Sequence, residues 1–139
     1  MTKDLDDLEK QFILNEDMEH EDIKTLISRI LNFCKIDNKG FVIIHDKQLK
    51  MRDKIVLVLS ARYLANRLQT KLGKEVNIQE TINIKELTIM LNEKNGVITA
   101  RLKELKDAKK IIQQDRGTYK VAPYAINDFL NQLEGVKNG

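Results

Sequence analysis

Two short stretches with helical apolar spacing follow one another so closely that only residues 92–94 separate them. The first opens at Asn83, three residues before Glu86, which is the spacing of a helix capping box. Asn92 follows it, a residue that tolerates the left-handed backbone at a helix end. Two helices joined by so short a turn must pack on a shared core. The residues expected to face that core are Leu87, Met90, Leu91, Ile98, Leu102 and Leu105.

The second stretch predicts a helix from Gly96 to about Lys109, with Asn95 as its N-terminal cap. Its three inward residues are spaced four and three apart, so they form one stripe along the helix. The rest of its surface is unusual because small and basic residues share it. Off the stripe lie Val97, Thr99, Ala100, Lys103 and Lys106, with Arg101 near the edge.

The segments around this pair predict a small mixed domain over residues 51–139. A helix over 53–72 is apolar on nearly all sides and is therefore expected to be central and buried. Residues 76–82 alternate loosely and are compatible with a strand. Residues 111–114 and 118–122 bracket Asp115-Arg116-Gly117, which indicates a hairpin. A last helix starts near Pro123, and its expected inner face is Ile126, Phe129, Leu130 and Leu133.

The first fifty residues are interpreted as an N-terminal extension that packs on this domain or mediates oligomerisation. Leu5, Leu8 and Phe12 have the spacing of a short acidic helix. A stronger helix is predicted over 20–36, with Ile23, Leu26, Ile27, Ile30, Leu31 and Cys34 on its apolar face, and a short strand over 41–44.

Charge is distributed unevenly along the chain, although the formal total is only +3. Residues 1–22 contain two lysines and nine acids, a net charge of −7. Residues 85–120 contain nine Lys or Arg and five acids, a net charge of +4. This asymmetry predicts a basic binding surface in the second half of the chain.

Residues 83–122 resemble the winged helix-turn-helix superfamily of transcriptional regulators, and the resemblance extends over residues 53–135. The chain is similar to small archaeal-type regulators in particular. It departs from the family at Lys109-Lys110, where many members have a glycine after the recognition helix. The resemblance implies an α+β fold, mainly α with a small β-hairpin wing and an N-terminal helical extension.

It also implies a duplex DNA-binding protein, most simply a transcriptional regulator. Helix 96–109 would then enter the major groove, and wing 111–122 would touch the backbone or minor groove. Because one such module contacts few base pairs, a homodimer is expected. The expected DNA contacts are Lys94, Asn95, Gly96, Val97, Thr99, Ala100, Arg101, Lys103, Lys106, Gln113, Arg116 and Lys120.

A second interpretation is a winged helix that binds another protein and no DNA. Glu104 and Asp107 dilute the basic face of the second helix and keep this alternative open. Salt dependence separates the two, because binding to DNA weakens steeply as salt rises.

Enzymatic chemistry is not expected, and no catalytic residue, metal ligand or cofactor is predicted. His20 and His45 lie far apart in the sequence, and no pair of cysteines is present to complete a zinc site. Because Cys34 is the only cysteine, an internal disulfide cannot form. The acidic N-terminus is unlike a signal peptide, and the longest apolar run, residues 55–59, is too short to cross a bilayer. A cytoplasmic protein that does not contact the membrane is therefore expected.

Overall fold

The computed structural model describes Leu5, Leu8 and residues 20–138. Across residues 20–138 the fold is α+β, with five α-helices and two small antiparallel sheets. The helices are α1 (His20–Ile30), α2 (Met51–Lys71), α3 (Ile84–Leu91), α4 (Asn95–Asp107) and α5 (Ile126–Asn138). The strands are β1 (Cys34–Ile36), β2 (Val42–Ile44), β3 (Ile82–Asn83), β4 (Ile111–Asp115) and β5 (Thr118–Val121).

Helix α2 is the centre of the molecule, as its apolar composition predicts. Its residues from Ile55 to Leu64 are all buried, including Ser60 and Arg62. Helices α1 and α4 and strands β1, β2 and β5 pack around it. The predicted inner faces of the last two helices are also buried, with the residues Ile98, Leu102, Leu105, Ile126, Phe129, Leu130 and Leu133.

The predicted helix over 20–36 is wrong at its C-terminal end. Helix α1 ends at Ile30, and β1 instead pairs with β2 in the register Cys34↔Ile44 and Ile36↔Val42. The sequence pattern suits both structures, because Cys34 and Ile36 fall on one face of a strand. Once the helix stops, Leu31 no longer shares its inward face and is 51% exposed. Pairing with a distant strand, absent from any local pattern, decides between the two.

The N-terminal extension shares the core of the rest of the chain. Ile23, Phe33 and Val42 belong to the same cluster of buried apolar side chains as α2 and α5. Arg29 joins α1 to α5, because its guanidinium donates to both carboxylate oxygens of Glu134, at 2.9 and 2.8 Å. The same guanidinium bonds Asn127 and Asn131.

Most of the acidic segment at the N-terminus, including Phe12 of the predicted first helix, lies outside the described residues. Leu5 and Leu8 are described, and both have helical backbone and exposed side chains.

The connection between α3 and α4 follows the predicted signals closely. The Asn83 side chain accepts from the Glu86 N–H at 2.8 Å, and the Glu86 carboxylate accepts from the Asn83 N–H, so the capping box is confirmed. Asn92 is left-handed, with φ 50°. Asn95 as an N-cap is wrong: Lys94 has the extended cap conformation, and Asn95 is already the first helical residue. Helix α4 therefore begins one residue earlier than predicted.

Helix α4 also ends earlier than predicted, at Asp107, through a Schellman motif. The Lys110 N–H donates to the Leu105 carbonyl and the Lys109 N–H to the Lys106 carbonyl, both at 3.0 Å. Lys109 is left-handed, with φ 62°, at the position where helices of this kind usually place glycine. The chain thus reaches the same turn geometry with a lysine, and β4 follows directly.

The second sheet has the order β3–β5–β4, and all its neighbours are antiparallel. Strand β5 lies in the middle, with Tyr119 opposite Ile82 on one side and opposite Gln113 on the other. Gly117, at φ 74°, occupies the tight turn between β4 and β5 in a conformation that favours glycine. The predicted hairpin is therefore confirmed, and the strand expected within 76–82 is limited to its last position and Asn83.

Candidate nucleic-acid interface

Helix α4 presents two chemically distinct faces. Ile98, Leu102 and Leu105 are buried against the core, as their spacing predicts. The predicted contact residues around them are exposed or half-buried. The exposed ones are Lys94, Asn95, Gly96, Val97, Ala100, Lys103 and Lys106, and the half-buried ones are Thr99 and Arg101.

The N-terminal half of the exposed face is nearly flat. Gly96 has open space where a Cβ would lie, and Ala100 follows one turn later. The Thr99 hydroxyl is folded back onto its own helix, where it donates to the Asn95 carbonyl at 2.7 Å. A helix surface of this shape can approach a flat or grooved partner closely, because no long side chain projects from its centre.

The cations of this face are not equivalent. Among the described residues, Lys94 and Lys103 have no ion-pair partner. Arg101 is half-buried and paired with Glu104 at 3.1 Å, so part of its charge is neutralised. The Lys106 amine donates to the Gln113 side chain at 2.9 Å, which links α4 to β4 without cancelling the charge. Lys103 is therefore the most available cation of the helix.

The turn between β4 and β5 carries a further exposed cation. Arg116 is exposed at the tip, next to Gly117, whose carbonyl accepts from the Ile84 N–H at 3.3 Å. The tip thus lies against the first turn of α3, at the positive end of the helix dipole. Lys85, exposed in that turn, was not among the predicted contacts, although its position in a helix N-terminus could have suggested it.

Lys120 lies apart from the other predicted residues. Gln113 and its cross-strand partner Tyr119 share the sheet face that meets α4, so Lys120, one residue later, lies on the opposite face. There its amine is 3.4 Å from Glu80, which also pairs with Arg67 at 2.8 Å. The structure therefore links Gln113 to α4, places Arg116 in the turn that contacts the first turn of α3, and groups Lys120 with Glu80 and Arg67.

The sequence analysis missed a buried arginine of α2, Arg62, which contacts the first turn of α3. The Arg62 side chain donates to Glu86 at 2.8 Å and to the Gln79 carbonyl at 3.0 Å. Gly40 packs on its guanidinium so closely that a Cβ there would lie 3.0 Å from Cζ. A charged residue inside an otherwise apolar helix needs a partner, and that rule was the available signal. Arg62 holds the start of α3 to α2 and to the β1–β2 turn.

Cys34 and the β1–β2 turn have ordinary structural roles. Cys34 is buried, and burial raises the pKa of its thiol to about 12, so it stays protonated. The Asp37 carboxylate accepts from the Phe41 and Lys39 N–H groups in the β1–β2 turn, and these bonds lower its pKa. Within the described part of the chain, no three potential ligands among His, Cys, Asp and Glu are grouped in a way that could hold a metal ion.

None of the helices that the structure describes combines the length and apolar character needed to cross a membrane. No protein-family profile, curated protein or solved structure matches this chain.

Proposed function

We propose that this chain binds duplex DNA through a winged helix-turn-helix formed by α2, α3, α4 and the β3–β5–β4 sheet, and that it acts as a transcriptional regulator rather than an enzyme. The observation that carries the proposal is the division of α4 into a buried apolar stripe and an exposed face of small and basic residues. A recognition helix needs both, since one face must anchor it while the other enters the major groove.

The surroundings of α4 support the same function. Helices α3 and α4 are separated by three residues, and a hairpin follows α4 directly. Winged helix-turn-helix domains have the same order of elements. Lys106 and Gln113 couple the helix to the hairpin, so the two would move onto DNA together. We expect Arg116 and Lys85, both exposed near the start of α3, to contact phosphate rather than bases. Lys120 is the weakest member of the set, since it is already paired with Glu80.

The general test is a gel shift with random duplex DNA, titrated with salt. DNA binding through several phosphate contacts predicts that affinity falls steeply and log-linearly as salt rises. The protein-interaction alternative is supported by the Arg101–Glu104 ion pair, which lowers the charge of α4. That alternative predicts no shifted band at low salt.

Arg116 and Lys103 are expected to contribute in different ways. Removing Arg116 with Arg116→Ala should weaken binding to all duplexes alike and reduce the slope of log affinity against log salt by about one. Lys103→Ala should change the preference among sequences, because Lys103 lies one turn after Thr99 on the groove face. The matched control is Lys24→Ala, an exposed lysine of α1 outside the proposed interface. If Arg116→Ala and Lys24→Ala behave identically, the hairpin does not contact DNA.

We also propose a homodimer, because two modules related by a two-fold axis would read two half-sites. The apolar face of α5 is used inside the chain, so the surface left for a partner lies beside α1, where Leu31 and Leu68 are exposed around a groove lined by Ile27, Ala65 and Ile36. Sedimentation equilibrium at micromolar concentration should give twice the chain mass. A species of 16.1 kDa alone would contradict the dimer. A cytoplasmic location stays a prediction.

A further inference from the structure

A cavity of about 300 Å³ lies where α4 ends, between Ala108–Lys110 and the start of the C-terminal helical region. Part of its lining is apolar, formed by Val56, Ala108 and Phe129. Lys109 and Lys110 stand at its edge, both exposed and without an ion-pair partner among the described residues. Asp128 is the carboxylate of the lining, so the cavity has a net positive rim.

The rim is held in place by the fold. Lys109 is fixed in the left-handed conformation that ends α4, and its carbonyl accepts from the Tyr124 hydroxyl at 2.8 Å. Tyr124 also lines the cavity. An apolar hollow with two lysines at its edge suits an occupant that combines apolar side chains with carboxylates.

Helix α1 begins near this cavity. Asp22, in the first turn of α1, lines a neighbouring hollow together with Tyr124. Residues 1–19, which join α1 there, contain seven acids and two lysines, a net charge of −5. A dozen residues span up to about 40 Å when extended. Leu8 precedes His20 by a dozen residues, so it can reach the cavity from the start of α1.

The segment also carries two apolar side chains that are exposed to solvent. Leu5 and Leu8 lie one helical turn apart in helical backbone and are 83% and 44% exposed. Acids surround both in sequence, at Asp4, Asp6, Asp7 and Glu9. Two uncovered leucines beside several carboxylates match the apolar lining and the lysine rim of the cavity in chemical character.

We propose that residues 1–19 dock on this cavity within the same chain, with Leu5 and Leu8 against its apolar lining and the adjacent carboxylates beside Lys109 and Lys110. The groove beside α1 is the less favourable receptor. It lies at the opposite end of α1 from the segment, around Ile27 and Leu31, and Lys35 is the one cation among its lining residues.

Docking on the cavity lined by Lys109 and Lys110 places negative charge at the C-terminal end of α4. If α4 binds DNA as proposed above, the docked segment repels phosphate and must be displaced before tight binding. This consequence rests on the proposed function, whereas the docking itself does not.

Zero-length carbodiimide cross-linking of the full chain tests the docking without DNA. It joins a carboxylate to a lysine amine only when the two are in contact. We expect peptides from residues 1–19 linked to Lys109 or Lys110, and loss of these links at about 1 M salt, where charges are screened within roughly 3 Å. A mixture of ¹⁴N- and ¹⁵N-labelled protein should show links within single isotopic species.

Lys71 and Lys74 serve as control lysines, since both are exposed. Lys71 lies fifteen residues after Val56 on α2, which places it about 22 Å along the helix from the cavity. Links spread equally to Lys71 and Lys74, links concentrated at Lys35, or links only between isotopic species would each overturn the proposal.

The double variant Leu5→Gln with Leu8→Gln separates specific docking from general charge attraction, because it changes no charge. It should lower the Lys109 and Lys110 link yield several-fold, while Leu72→Gln, at an exposed leucine outside both the cavity and the groove beside α1, should leave the yield unchanged. An unchanged yield in the double variant would overturn the docking. In the gel shift, the double variant should bind DNA about fivefold more tightly, the lower end of usual coupling between sites. If the links are as expected but affinity is unchanged, the repulsive effect on DNA is excluded and the docking stands.

Discussion

Ile98→Asp should unfold the chain rather than merely weaken its binding. Ile98 lies on the face of α4 that packs against the core and is completely buried. An aspartate there would carry either an unpaired charge or, if protonated, a hydroxyl without a hydrogen-bond partner, out of reach of water. Such a change costs more than about 4 kcal/mol, a large part of the 5–15 kcal/mol by which domains are stable. Leu102→Asp, one turn later and 1% exposed, should act in the same way.

Val97→Asp is the matched control, because Val97 precedes Ile98 directly but is 38% exposed. Its stability should change by no more than about 0.5 kcal/mol, the usual range for surface changes. Urea unfolding followed by circular dichroism measures all three variants. If Ile98→Asp melts like the parent, the assignment of the buried and exposed faces of α4 is wrong, and the proposed DNA contacts on the other face lose their basis.

Arg62→Ala should destabilise the fold by about 3 kcal/mol, at the lower end of the range for breaking a buried ion pair. Arg62 is 5% exposed and connects the Glu86 carboxylate, the Gln79 carbonyl and the Gly40 turn. The effect stays at the lower end because Glu86 is partly exposed and water can solvate it after the loss. The remaining cost comes from the unpaired Gln79 carbonyl and the empty volume beside Gly40.

Two further variants show which part of the arginine matters. Arg62→Met keeps much of the volume and removes a buried Nε that has no hydrogen-bond partner, so it should cost less than Arg62→Ala. Arg52→Ala, at an exposed arginine of the same helix, should leave the urea midpoint unchanged. The expected order of midpoints is therefore Arg52→Ala, Arg62→Met, Arg62→Ala, from highest to lowest. Equal midpoints for the two Arg62 variants would mean that its packing volume contributes nothing.

The burial of the candidate side chains could be predicted on helix α4 but not on the sheet. The buried stripe of α4 followed from its spacing, and the exposed face followed from the stripe. Lys120 lies on the sheet face away from α4, which a hairpin pattern alone does not reveal. Glu80, which pairs with it, lies in the connection before β3, and no local signal relates the two residues.

Local physical chemistry in the sequence by itself determined the capping box at Asn83, the left-handed Asn92, the hairpin turn at Gly117 and the inward faces of α4 and α5. Each depends on interactions within a few residues of the chain, or on one periodic pattern. The tertiary structure alone decided that α1 stops at Ile30, because β1 needs β2 as a partner. It also decided that Arg62 can be buried, because its partners come from three separate segments. The Arg62 contacts join residues far apart in sequence, and the β1–β2 pairing joins two neighbouring segments, so the periodic pattern of a single element carries no information about either.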